Sequence, residues 1–208
     1  MSQDGTTQDR TALDLTSMGE YVRDTEFGPD TTCEQRLVSV EFEGCTFSGI
    51  VFDEFVLRQC SFRDCRFEDC SLSGMTWPDC SIGGCTFVGC RFVGTSFSQL
   101  AASVVIDPCT FDRCRLHLCS LSGRDMSRWV FTDCAIIECD LDDCDLRQAS
   151  LRDCDLRKTA IRGCDLREVE MPGTTGMQLD PRENRVRGLL VDESAAASLL
   201  APFGIRLG

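Results

Sequence analysis

The sequence predicts an all-β solenoid, in which short strands coil into turns that stack on one another. Large apolar residues recur every five positions, a small residue stands two positions before most of them, and polar residues or Gly fill the remaining positions. From Cys144 the chain reads CDLRQ, ASLRD, CDLRK, TAIRG and CDLRE. A helix repeats its apolar face every three or four residues and a strand every two, so a period of five needs a chain that turns a corner every five residues.

The N-terminal residues precede this pattern. Residues 1–19 are polar and nearly free of periodic apolar residues, which predicts a disordered arm. A weak repeat begins at Val22 and Phe27, misses at Thr32 and becomes regular from Leu37. The arm lacks the basic start and apolar centre of a signal peptide, and the chain has no apolar run of about 20 residues. We therefore expect a cytoplasmic protein with no membrane partner.

The regular repeat has two blocks of 13 central residues each. Eight centres of the first block are Phe and only two of the second are, so the second block should have a more aliphatic core. The first block has Leu37, Phe42, Phe47, Phe52, Leu57, Phe62, Phe67, Leu72, Trp77, Ile82, Phe87, Phe92 and Phe97. The second has Ile106, Phe111, Leu116, Leu121, Met126, Phe131, Ile136, Leu141, Leu146, Leu151, Leu156, Ile161 and Leu166.

A phase break at residues 98–105 separates the blocks. Nine residues separate Phe97 from Ile106 where two repeats would use ten, so either one residue is deleted or a four-residue insertion replaces a corner. The alternatives are a bulge that restores the phase of the coil and a short projecting loop. The candidate loop residues are Gln99, Leu100, Ala101, Ala102 and Ser103.

The small position is usually Cys: 15 of the 16 cysteines share this register, and only Cys33 falls outside it. Zinc sites use cysteines separated by two to four residues, whereas these are separated by multiples of five within each block. We interpret them as reduced, inward-facing structural thiols and predict no metal site. Arg124 also occupies a small position, which predicts a distortion from Arg124 to Trp129 or a side chain turned to solvent.

This register resembles the pentapeptide-repeat family, whose motif is Ala or Cys, then Asp or Asn, then Leu or Phe, then two mostly polar residues. The resemblance covers residues 37–170, or 22–170 if the weak first repeats are included. It implies a right-handed quadrilateral β-helix, in which four pentapeptides form the four sides of one turn. We place this β-helix at residues 20–171.

The repeat should end at Met171, since Pro172 and Gly173 interrupt a strand. Residues 172–208 predict a strand from Leu189 to Val191, an N-cap at Asp192 and a helix from Glu193 to about Ala201. This element should cap the solenoid and form a homodimer, as in the family members that act on topoisomerases. The proposed interface residues are Leu199, Leu200, Phe203, Ile205 and Leu207.

The net charge of −13 disfavours direct binding to nucleic acid and favours a basic partner. Arg147, Arg157 and Arg167 each follow an Asp by two residues, so the outward face is either a solvated, charge-paired surface or an acidic recognition surface. The candidate partner-facing residues are Asp125, Asp140, Asp142, Asp143, Asp145, Asp153, Asp155 and Asp165.

The resemblance implies a non-enzymatic function. Family members of this size mimic duplex DNA, bind DNA gyrase or topoisomerase IV, and protect the enzyme from quinolones or natural-product poisons. The alternative is a protein-interaction scaffold of unknown target. The sequence itself predicts no catalytic residues, no cofactor and no small-molecule substrate, and the single His117 has no nucleophile partner.

Overall fold

The predicted all-β solenoid with a short C-terminal helix is confirmed in a computed structural model, which describes Leu15 and residues 19–32, 34–101 and 107–206. All its strand pairs are parallel, and four sides can be followed along the rod. Strands of two or three residues form each side, and the chain turns between them. We number the sides 1 to 4 in the order in which the chain passes through them.

The strands of each side are as follows. Side 1 has β1 (Tyr21–Arg23), β4 (Glu41–Glu43), β7 (Ser61–Arg63) and β9 (Ser81–Gly83). Side 2 has β2 (Glu26–Phe27), β5 (Thr46–Ser48), β8 (Arg66–Glu68), β10 (Thr86–Val88), β12 (Thr110–Asp112), β14 (Val130–Thr132), β17 (Ser150–Arg152), β19 (Glu170–Met171) and β21 (Leu190–Val191). Side 3 has β11 (Arg91–Val93), β13 (Arg115–His117) and β15 (Ala135–Ile137). Side 4 has β3 (Arg36–Val38), β6 (Val56–Arg58), β16 (Asp140–Asp142), β18 (Ala160–Arg162) and β20 (Gln178–Leu179). Isolated bridges continue the sides where no strand is assigned.

The register along side 2 decides between the alternatives at the phase break. Phe67 pairs with Phe87 at a separation of 20 residues, but Phe87 pairs with Phe111 at a separation of 24. From Phe111 to Phe131 the separation is 20 again. The turn therefore carries four extra residues, and every later side stays aligned with the earlier ones. This is the four-residue insertion, not the one-residue deletion.

The core is a stack of central residues. Between Leu37 and Leu166 the described centres are buried, except Ile82, which is half-buried. On side 2 six aromatic rings stack with centroids 4.7 to 4.9 Å apart and nearly parallel planes. This column runs through Phe27, Phe47, Phe67, Phe87, Phe111 and Phe131, and Leu151 continues it. The predicted change from an aromatic to an aliphatic core is confirmed.

Strand pairing extends one turn beyond the boundary predicted at Met171. Strands β20 and β21 pair with β18 and β19, so residues 172–191 belong to the solenoid. Pro172 lies at a corner, where its carbonyl accepts a hydrogen bond from Asp153 N (2.9 Å). Gln178 pairs with Ala160 at a separation of 18 residues instead of 20. Because 18 is not a multiple of five, the period of five does not reveal this turn in the sequence.

The C-terminal element follows this last turn. The helix α1 (Glu193–Leu200) is followed by a 3-10 turn (Ala201–Phe203). Asp192 acts as the predicted N-cap, since its Oδ1 accepts a hydrogen bond from Ala195 N (3.0 Å). Its Oδ2 accepts another from Gly173 N (2.8 Å). Asp192 thereby joins the start of the helix to the turn before it.

The cysteines have a role beyond their size. All 15 described cysteines are buried free thiols, whereas Cys33 lies outside the described residues. Most thiols donate a weak hydrogen bond to the carbonyl of a centre in the preceding turn, as in Cys65 to Phe42 O (3.5 Å). Thr159 occupies the same position and donates to Ile136 O (2.7 Å). The small position therefore supplies a donor that the corner needs.

Candidate protein-interaction surface

The eight predicted acidic residues are spread over more than one side of the rod. Asp125, Asp145 and Asp165 lie in one column on side 1. Asp140 and Asp142 lie on side 4, and Asp143 lies at the corner that joins side 4 to side 1. Asp155 lies on side 3, and Asp153 lies at the corner before it. Six of the eight thus share two adjoining sides, and Asp153 and Asp155 lie apart from them.

The predicted Asp–Arg pairs on this surface are present. Arg147 donates to Asp145 through Nε and Nη2 (2.9 and 2.6 Å), and Arg157 holds Asp155 in the same way. The hydrogen bond from Arg167 lowers the pKa of Asp165 to about 2, and Arg147 likewise lowers the pKa of Asp145. These carboxylates stay ionised, but the adjacent guanidinium offsets each charge.

The larger excess of negative charge lies in the first half of the solenoid, although Asp125, Asp140, Asp143 and Asp153 of the second half also form no ion pair among the described residues. Residues 20–101 carry 13 acidic and six basic side chains, whereas residues 107–191 carry 16 and 13. Several exposed carboxylates on sides 1 and 2 and at their corners form no ion pair among the described residues. We call Glu26, Glu41, Asp64 and Asp69 the N-terminal acidic surface. These four residues are not among those predicted from the sequence, although the acidic excess of residues 20–101 can be counted there.

The phase break is tied to the body of the rod. Trp77 N donates to Gln99 Oε1 (3.0 Å). Leu100 is buried, so it fills a small position of the core and does not project as the loop prediction expected. Ala101 is half-buried, and Ala102 and Ser103 lie outside the described residues.

Arg124 explains how this insertion is held. Its Nη1 donates to Leu100 O (2.7 Å) and its Nη2 to Ala101 O (3.3 Å). Burial lowers the pKa of Arg124, and its Nε has no hydrogen-bond partner in the described part of the chain. Of the two outcomes expected at Arg124, the outward turn is wrong, because the guanidinium faces the carbonyls at the start of the insertion. Trp129 is buried and stacks on Phe111, with centroids 5.6 Å apart.

The predicted dimer residues fall into two groups. Leu199 and Leu200 are half-buried, and Leu199 packs against the core. Phe203 and Ile205 are about half exposed, at 50% and 51%. The guanidinium of Arg182 lies 5.6 Å from the ring centroid of Phe203. Leu207 lies outside the described residues.

Among the described residues, no cluster of His, Cys, Asp and Glu has the geometry to hold a metal ion. His117 Nε2 lies 3.9 Å from Glu138 Oε2, and Lys158 Nζ forms an ion pair with Glu138 Oε1 (2.7 Å). The single described α-helix is too short to cross a membrane.

Comparisons with known proteins agree with this architecture. A family model of pentapeptide repeats matches residues 36–74, and a model of a pentapeptide repeat region matches residues 104–176. The structure is similar to a trypsin-treated variant of QnrB1, a plasmid-mediated fluoroquinolone resistance protein, with a TM-score of 0.54 and 15% identity over 95% of this chain and 98% of that one. Full-length QnrB1 gives a TM-score of 0.49 and 14% identity over 89% of this chain and 100% of that one. HetL, a pentapeptide repeat protein of the cyanobacterium Nostoc, gives a TM-score of 0.42 and 13% sequence identity over 86% of each chain. No curated protein matches the sequence.

Proposed function

This chain belongs to the pentapeptide-repeat family, and on that premise we propose that it binds a type II topoisomerase as a mimic of duplex DNA. The partner would be DNA gyrase or topoisomerase IV, and binding would protect the enzyme from a quinolone or natural-product poison. The observation that carries the proposal is a narrow rod whose first half, residues 20–101, holds most of the excess negative charge, with 13 acidic and six basic side chains. The proposal places the protein in the cytoplasm.

The shape and charge of the rod support this function. Nine strands on side 2, about 4.8 Å apart, make a rod about 38 Å long. The N-terminal acidic surface would meet the positively charged surface that the enzyme uses for DNA. Complementary charge speeds association and orients the partners, and it weakens as salt rises. The ion-paired Asp145, Asp155 and Asp165 would contribute less, because an arginine already neutralises each.

The C-terminal element would pair two copies of the chain. Phe203 and Ile205 expose apolar surface at the end of the rod, where a second copy would bury it. The expected product is a homodimer that doubles the length of the acidic rod. Replacing both residues with Ser should give a monomer by light scattering, and an unchanged dimer mass would contradict this interface.

The test of the function is a supercoiling and cleavage-complex assay with purified gyrase or topoisomerase IV, with and without a poison. The triple variant Glu26→Gln, Glu41→Gln, Asp69→Asn should lose most of the protection. The matched control, Asp140→Asn, Asp143→Asn, Asp153→Asn, removes the same charge from exposed carboxylates of the second half and should keep it.

The outcomes separate the alternatives. Loss of protection only in the control would move the contact surface to the residues predicted from sequence. If the wild-type protein neither binds the enzymes nor changes poison sensitivity, the topoisomerase proposal fails. That result would favour the scaffold alternative, which the near balance of charge in residues 107–191 also supports.

A further inference from the structure

A groove lined by arginines lies on side 1 of this acidic protein. It has a volume of about 420 Å³ and spans four successive turns of the second half. Backbone hydrogen bonds join these turns directly, from Arg128 N to Arg147 O (2.9 Å), Gln148 N to Arg167 O (3.0 Å) and Glu168 N to Arg187 O (3.1 Å). The lining residues are Ser127, Arg128, Arg147, Gln148, Arg167, Glu168 and Arg187.

Two of the arginines are fixed in place by the ion pairs already described. Asp145 binds Nε and Nη2 of Arg147, and Asp165 binds the same two atoms of Arg167. The Nη1 group of each guanidinium has no partner in the described part of the chain. A guanidinium has five N–H donors, so each can still bind a second oxyanion. Because the aspartates already hold these side chains in place, the arginines would lose little conformational entropy when a ligand binds.

The groove keeps a positive charge, unlike the whole chain, even though Asp145 and Asp165 offset Arg147 and Arg167. Four arginines and one carboxylate line it, and that carboxylate, Glu168, accepts a hydrogen bond from Gln148 Nε2 (2.9 Å). Arg187 forms no ion pair among the described residues, so it can bind an anion without first breaking one. Arg147, Arg167 and Arg187 recur at the strand spacing of about 4.8 Å. This arrangement suits a ligand that carries several oxyanion groups in a row.

We propose that this groove binds a small anion with two or more linked phosphoryl groups, such as a polyphosphate or a nucleoside polyphosphate. The planar guanidinium matches phosphate oxygens with two parallel hydrogen bonds, and a phosphoryl chain presents such oxygens at each link. The volume lies within the usual range for small-molecule sites. A long duplex is disfavoured, because the net charge of −13 repels it. This site is separate from the N-terminal acidic surface and does not depend on topoisomerase binding.

The test is calorimetric titration of the full-length protein with inorganic tripolyphosphate at low salt. Arg167→Gln and Arg187→Gln should each weaken binding about tenfold, since each removes a charged donor. The matched control is Arg157→Gln. Arg157 is clamped by Asp155 in the same way, but its neighbours in the column are Ile137 and Met177, so this variant should bind within about twofold of wild type.

Further titrations identify the ligand class. ATP should bind if the site accepts a nucleoside polyphosphate, and only tripolyphosphate should bind if it does not. Citrate, whose anionic groups are all carboxylates, should bind at least tenfold more weakly than tripolyphosphate. Three results would overturn the proposal: no binding of either phosphate probe, equal binding of citrate, or equal weakening by Arg157→Gln and Arg187→Gln. Arg187→Gln removes no ion pair, so its thermal stability should match that of wild type.

Discussion

Thr159 offers a direct test of the donor role of the small position. Its side chain is fully buried and makes two hydrogen bonds to the backbone of the preceding turn. Thr159 Oγ1 donates to Ile136 O (2.7 Å) and accepts from Cys139 N (3.1 Å). Thr159→Val keeps the shape of the side chain but removes both bonds. A buried carbonyl and a buried amide would then lack these partners.

The magnitude follows from these two contacts. Each hydrogen bond contributes about 1 kcal/mol, and a buried polar group left without a partner costs about 1–3 kcal/mol. Burying one more methyl group offsets about 0.8 kcal/mol of this loss. We expect Thr159→Val to lower the free energy of unfolding by about 2 kcal/mol. For a chain of this size the Tm should fall by about 4–8 °C.

The assay is thermal and urea denaturation of Thr159→Val beside Thr159→Cys. The cysteine variant restores the residue used at most small positions, retains a donor, and should cost less than about 1 kcal/mol. A valine variant as stable as wild type would refute the reasoning, because it would mean that Ile136 O and Cys139 N do not need the hydroxyl. Equal losses for Val and Cys would point to packing instead of hydrogen bonding.

Two other predictions concern a corner and an ion pair. Gly84→Ala should lower the free energy of unfolding by about 1–2 kcal/mol in urea titration, because φ at Gly84 is +63° and a Cβ there would lie 2.2 Å from Asp64 Oδ1. Gly94→Ala is the control: φ is +65° but a Cβ would meet no atom within 4 Å, so the loss should be smaller. Asp165 has a folded pKa of about 2 against an ordinary value of 3.8, so its pairing with Arg167 stabilises the fold above about pH 4 and is lost as pH falls toward 2. Asp165→Asn should cost about 1 kcal/mol at pH 7, and the difference from wild type should shrink by pH 2.5; a difference independent of pH would contradict the pairing argument.

The period of five predicted the fold because it records which residues face the core. Phe87, for example, could be placed in an aromatic column from its spacing alone. The same count could not distinguish a deletion from an insertion between Phe97 and Ile106, since nine residues fit either. The pairing of Phe87 with Phe111 decides the question, because parallel strands must stay in register for the columns to stack.

The distribution of uncompensated charge is harder to predict from the sequence, because charge compensation depends on pairing across turns as well as along the chain. Asp145 and Arg147 are close in sequence, so their ion pair could be predicted. Arg162 reaches Asp142 in the turn before it, and Arg152 reaches Glu170 in the turn after it. Such pairs depend on side-chain conformation and not on the period. Arg124 is similar, since its partners lie at residues 100 and 101 of the previous turn.

The uniform register of the columns makes the length of the rod adjustable in fixed steps. Each turn pairs with the turn before and the turn after it, and residues 20 apart occupy equivalent places. Excising residues 127–146 would join Met126 to Arg147 and bring every later column back into line, about 4.8 Å closer to the N-terminus. The number of turns thus sets the length of the solenoid, and the 24-residue turn shows that extra residues can be accommodated without shifting the columns out of register.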